Sequence, residues 1–186
     1  MSRALLKKYD AVFGTAVLFG DVPFKLPFAM SYPVRLTPEV APLVVSYRNP
    51  FIHSSSAFRR EVVTPGKLYK DIASEEYLLW IEMSLRNARL YRSAIPLIGY
   101  RFHGNQVSRA PGFYEASESC EVLNSSRDEL IDMVLGPIEM SDSTKAQKVA
   151  KIQRYVHLAS PGVLFEERFL KFIISKVSGF LTKSSS

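Results

Sequence analysis

The stretch SEEYLLWIEMSLRNARLYRSAIPLIGYRFHG, residues 74–104, reads as a helix followed by a strand. Ser74 suits an N-cap, and Glu75 to Arg89 carries helical character. Leu79, Trp80, Met83 and Asn87 trace one face, and Leu78, Ile81 and Leu85 widen the apolar arc. An indole on such an arc predicts a core anchor. Leu90 to Phe102 turns strand-like, interrupted by Pro96, and His103-Gly104-Asn105 is a turn signal.

Upstream, AVFGTAVLFG (residues 11–20) is short, apolar and rich in Val and Phe, which predicts a buried strand. Residues 21–50 contain Pro23, Pro27, Pro33, Pro38, Pro42 and Pro50, so an extended loop is expected, with one helical turn near Thr37-Pro38-Glu39. Phe51 to Val63 reads as a strand and a turn, and Pro65-Gly66 breaks the chain. Downstream, Ala110 to Asn124 shows little periodicity. Ser126 to Glu129 forms a capping-box pattern before an apolar run that stops at Gly136-Pro137. Ser143 is a candidate cap for a helix over 144–159. Ser160-Pro161-Gly162 breaks it, and another helix is expected over 163–177.

The chain has 186 residues, 47% of them apolar and 23% charged, a globular balance that excludes a disordered chain. Its formal charge of +6 favours an anionic partner: a phosphate-bearing ligand, an anionic membrane face or nucleic acid. The basic residues are scattered and match no DNA- or RNA-binding motif, so no nucleic-acid partner is expected. Cys120 is the single cysteine, which points to a reducing compartment. No long apolar segment marks a leader or a membrane span, so a cytoplasmic location is expected, possibly peripheral on the inner face of a membrane. The segment VLFEERFLKFIISKV (163–177) places Phe165, Phe169, Phe172 and Ile173 at helical spacing opposite Glu166 and Glu167. Such a face could pack on the domain's own sheet, cover a missing partner half, or lie in an anionic membrane interface.

Four stretches in order carry a resemblance: RNPFIHSSSAFRR (48–60), YKD (69–71), SEEYLLW (74–80) and YRFHGNQVS (100–108). They are similar to the "NPFIHPSVMFRR", "GGY", "EDYDLWLRL" and "YRxHxxSxS" segments of family 2 glycosyltransferases of bacteria. The resemblance implies an α/β fold: the C-terminal, acceptor-side half of a GT-A domain over residues 1–115, lacking the donor-binding βα units, with a helical extension over 116–186. It implies sugar transfer from a nucleotide-sugar to a glycan or polyprenyl-linked acceptor in polysaccharide biosynthesis. The alternative is a truncated, catalytically inactive remnant or binding module with the same partial fold.

An acidic pair in the first turn of a helix is stabilised by the macrodipole, at about 0.3–1 kcal/mol each, which alone accounts for Glu75 and Glu76. Inverting transfer also needs a carboxylate to take the acceptor hydroxyl's proton. The family's usual base is the second acid of its "ED" pair, which falls on Glu76, with Glu75 orienting loops or acceptor hydroxyls. Here Glu replaces Asp, an extra methylene that moves the carboxylate on the order of 1 Å, a displacement that can cost ~10²-fold. The resemblance further implies that His53, Ser54 and Ser55 line the cleft. Ser54 stands where the family usually has proline, and Ser55 matches its serine. Arg101 and His103 are implied diphosphate contacts, and His103 is also a candidate metal ligand for the Mn²⁺ or Mg²⁺ of a complete enzyme. The aspartates at 10, 21, 71, 128, 132 and 142 form no Asp-x-Asp, and no phosphate-binding glycine loop occurs. The donor half, with its metal, is therefore expected on a longer chain or a second one, and no turnover of nucleotide-sugar is expected from these residues alone.

Overall fold

A computed structural model describes residues 5–20, 28–29, 35–63, 72–103, 111–136 and 143–162. They form a mixed α/β protein. Strand β1 (Ala11–Gly20) has the bounds its composition predicts, and is joined by β2 (Phe28–Ala29), β3 (Ala57–Phe58) and β4 (Leu90–Phe102). Helices α1 (Ala41–Tyr47), α2 (Glu75–Leu85), α3 (Phe113–Glu118), α4 (Glu121–Leu135) and α5 (Lys145–Ala159) complete the described elements. β4 runs parallel to β1 along its length, while β2 and β3 pair antiparallel with its two ends, at Val17–Leu18 and Ala11–Val12. The stretch 163–177, with its three expected placements, lies outside the described residues, as do Pro65-Gly66, Gly104-Asn105 and Pro137. No helix among the described residues is long and apolar enough to cross a membrane.

Pro96 does not end β4; it bulges it. Phe13 faces Arg92 and Ala16 faces Ile98, so β1 advances three residues while β4 advances six. Proline offers no N–H to the ladder and sits where the register slips. Gly14 lies opposite this bulge, and a Cβ there would overlap the Leu97 side chain from its Cβ outward. Gly14→Ala is therefore expected to cost about 1–3 kcal/mol in chemical denaturation. Combining it with Leu97→Gly should recover part of that cost. Strict additivity of the two changes would mean that Leu97 does not set the space at Gly14.

Helix α2 is more buried than a one-sided arc requires: Tyr77, Leu78, Leu79, Trp80, Ile81, Met83 and Ser84 are all inside. Trp80 is fully buried, as its place on the arc predicts. Its first helical turn is where the sequence places it, but Ser74 enters with a left-handed backbone (φ 63°) and makes no side-chain cap. The helix stops four residues before Arg89. Asn87 takes φ 57°, Asn87 N–H donates to Ser84 O, and Ala88 N–H donates to Met83 O, the paired bonds of a Schellman stop.

Three further expectations are corrected. The proline-rich segment is not wholly extended: Thr37 O receives the N–H groups of Val40 and Ala41, and the turn continues into α1 with Pro42 in its first turn, where a missing N–H costs nothing. Residues 51–63 form two 3₁₀ turns, His53–Ser55 and Arg60–Val62, around the two-residue β3 rather than a strand. Ser126 caps nothing, because α4 begins at Glu121 behind Cys120 and α3 occupies part of the stretch that lacked periodicity. In α5 the cap is Thr144, one residue past Ser143, in a full capping box with Gln147.

One apolar cluster joins these elements. Phe13, Leu36, Val44, Val45, Trp80, Ile81 and Leu90 meet Leu123, Leu130, Ile131 and Leu135 of α4 and Ile152 and Val156 of α5. The stripes on α4 and α5 follow the helical repeat, so each helix turns one face to the common core.

Candidate functional site

The segment between α1 and the first 3₁₀ turn is tied down carbonyl by carbonyl. A helix C-terminus leaves its last C=O groups without intrahelical donors, and here side chains from three other elements supply them. The Tyr77 hydroxyl donates to Val45 O at 2.7 Å. Arg127, on α4, donates through Nε to Ser46 O and through Nη2 to Tyr47 O, both at 2.9 Å. Arg92, buried on β4, donates to Pro50 O. Burial pushes the Tyr77 hydroxyl up to about 12, so it remains a donor at any physiological pH.

This fixed segment presents Asn49 and His53 to the start of α2. Asn49 Oδ1 accepts Phe51 N–H at 3.1 Å, an Asx turn, and Asn49 Nδ2 lies 3.5 Å from Glu76 Oε1. His53 is exposed, with its ring 6.0 Å from the Trp80 indole in an edge arrangement. Glu75 and Glu76 are both half-buried. Burial raises the Glu76 carboxyl above the ordinary range; its own backbone N–H opposes this, the Glu75 charge adds to it, and His53 opposes it more weakly. A carboxylate with raised proton affinity beside an imidazole is an arrangement suited to moving a proton.

The implied site residues divide between two places. His53, Glu75 and Glu76 come together. Ser54 is exposed next to them. Ser55 is buried and faces β1: its hydroxyl accepts Gly14 N–H at 3.3 Å and lies 2.9 and 2.8 Å from the Gly14 and Ile52 carbonyl oxygens. It satisfies β1 where neither β2 nor β3 pairs with it. Arg101 is exposed near the end of β4, where it pairs with Phe19, and His103 follows the strand. Phe13, which stacks on Phe51 under the Glu76 group, is six residues back along β1, roughly 20 Å at ~3.3 Å per residue.

Among the described residues no group of three or more His, Cys, Asp or Glu side chains converges on a metal position. His103 alone is too small a donor set for Mn²⁺ or Mg²⁺, so no step below is routed through a metal held here. Cavities of about 220 and 340 Å³ line α5, the first bridged by Lys145–Asp128 and Lys148–Asp132 ion pairs, and neither includes Glu76.

Asn49, Arg92 and Arg127 had no role in the sequence reading. Asn49 carried a signal, the Asn-Pro dipeptide before an apolar pair. The two arginines reach partners 42 and 80–81 residues away, and no local pattern reveals that. Comparison of the chain with protein-family models, curated proteins and solved structures finds no match.

Proposed function

We propose that this chain is the acceptor-side, base-bearing part of a sugar transferase of the family 2, GT-A type, acting at the cytoplasmic face of a membrane on a glycan or polyprenyl-linked acceptor. The carrying observation is Glu76: a half-buried carboxyl with raised proton affinity, at the first turn of a buried helix, beside exposed His53. In this reading the acceptor hydroxyl lies against Glu76. As its oxygen attacks the anomeric carbon, the proton passes to Glu76, and the bond to the nucleotide diphosphate breaks with its electron pair leaving on phosphate. The anomeric configuration inverts. The donor and its metal are held by a donor-binding half that these residues do not supply.

Rigid support favours this role over that of a merely solvated acidic pair. A base must be held within a fraction of an ångström of its working position, and the carbonyl clamps from Tyr77, Arg127 and Arg92 hold the facing segment. The test is a titration of the full chain, labelled at histidine, with oligosaccharides ending in hexose or N-acetylhexosamine. A saturable shift of the His53 ring resonances by at least one sugar is expected, and Glu76→Gln should keep that binding. If no sugar in the panel perturbs His53, the acceptor reading fails. Metal-dependent binding of a nucleotide-sugar to the chain alone would overturn the assignment of the donor to another half.

A further inference from the structure

A second surface stands at the other end of α2. Tyr9, just before β1, and Tyr91, at the start of β4, stack with centroids 4.5 Å apart and planes 4° from parallel. Their inner faces lie against each other, so cations take the outer ones. Lys8 Nζ is 5.5 Å and Arg89 Cζ 5.7 Å from the Tyr9 centroid, and Arg35 Cζ is 5.5 Å from that of Tyr91. Lys7, Lys8, Arg35 and Arg89 are all exposed. Nearby Asp10 is engaged by the Arg59 guanidinium at 3.6 Å and by the Arg89 backbone N–H at 2.8 Å. Glu39 is the acid whose charge Arg89 and Lys8 feel. Four exposed cations thus face one exposed carboxylate.

A guanidinium laid on an aromatic face keeps its in-plane N–H donors turned outward and loses little freedom on binding an oxyanion. We propose that the Lys8–Tyr9–Tyr91–Arg35–Arg89 surface docks the protein on the phosphate headgroups of an anionic membrane. The stacking favours this over nucleic acid. Single-stranded nucleic acid needs open ring faces for its bases, and here each ring is covered by the other ring on one side and by a cation on the other. Neither cavity described above involves these residues, which matches a broad anionic surface better than a single small anion. The inference does not depend on the sugar chemistry, because Arg89 follows α2 whereas Glu76 opens it, some 16 Å apart for an 11-residue helix.

Co-sedimentation of the full chain with vesicles tests it. Equimolar phosphatidylcholine and phosphatidylglycerol should bind the protein at about 0.05 M salt, release it at about 0.5 M, and exceed pure phosphatidylcholine throughout. Arg35→Gln and Arg89→Gln should each weaken binding about 5-fold, whereas Arg154→Gln, the same charge loss on α5, should leave it unchanged. Should Arg89→Gln fail to fold, Arg35→Gln and Lys8→Gln carry the comparison. Absence of binding at low salt overturns the proposal, as does an equal effect of Arg154→Gln. Tighter binding to an oligothymidylate that depends on Arg35 and Arg89 would assign the surface to nucleic acid instead. Saturable binding of inorganic phosphate that displaces the vesicles would assign it to a free anion.

Discussion

Trp80→Ala is expected to cost about 3–5 kcal/mol of folding stability, the largest loss for any single residue discussed here. The indole is fully buried where β1, α2 and the turns after α1 meet. The Phe13 ring stands edge-on to it at 4.8 Å and 85°, and Phe51 and Phe58 each lie 6.1 Å away. Truncation would leave a cavity walled by three rings that are themselves held by backbone, so little collapse can fill it. One feature runs the other way: Trp80 Nε1 is buried and has no hydrogen-bond partner. An unsatisfied buried donor costs about 1–3 kcal/mol, and Trp80→Phe removes it while keeping most of the apolar surface. Trp80→Phe should therefore be much milder than Trp80→Ala in urea unfolding. Equal losses would show that the indole N–H contributes, and a wild-type midpoint for Trp80→Ala would show that the ring is not a core element. Because His53 rests against the same indole, Trp80→Ala should also broaden the His53 resonances.

What could be read in the sequence was what local chemistry decides. The Val- and Phe-rich run gave β1 its bounds, the acid pair ahead of an apolar arc located the first turn of α2, and Thr144 with Gln147 started α5. Reading failed where long-range partners override local signals. Pro42 looked like a breaker and is a helix starter, because its position within the turn, and not its presence, decides. Cys120 carries no capping chemistry, yet α4 begins behind it, since Leu123, Leu130, Ile131 and Leu135 bury a stripe that needs the extra turn. Glu76 was legible as a residue. Its raised proton affinity was not, because that comes from burial against segments distant in sequence. The clamps on α1 were equally hidden: Arg127, in the helical C-terminal region, holds the carbonyls of Ser46 and Tyr47, so α4 takes part in shaping the surface that Glu76 faces.

Glu76→Gln should lower kcat by at least ~10²-fold in enzyme reassembled with a donor-binding half, with donor affinity nearly unchanged. Glutamine keeps the shape and can still accept from Asn49 Nδ2, but it cannot take a proton. The same change should behave in the opposite sense toward folding. Burial raises the Glu76 carboxyl above its ordinary value near 4.5. A carboxyl raised in the folded state favours folding below its unfolded value and loses that contribution as pH rises through the folded value. At pH 7 the wild type therefore carries a buried charge that the Gln variant lacks. Thermal melts should place Glu76→Gln at or above wild type at pH 7, with the gap closing as pH falls toward 4. An acid that served only the helix dipole or a structural hydrogen bond would give the reverse, a variant less stable at neutral pH. Loss of turnover together with equal or greater stability separates a base held in place by the fold from an acid that holds the fold in place. If Glu76→Gln turns over at the wild-type rate, the base lies elsewhere, and Glu75→Gln becomes the deciding variant.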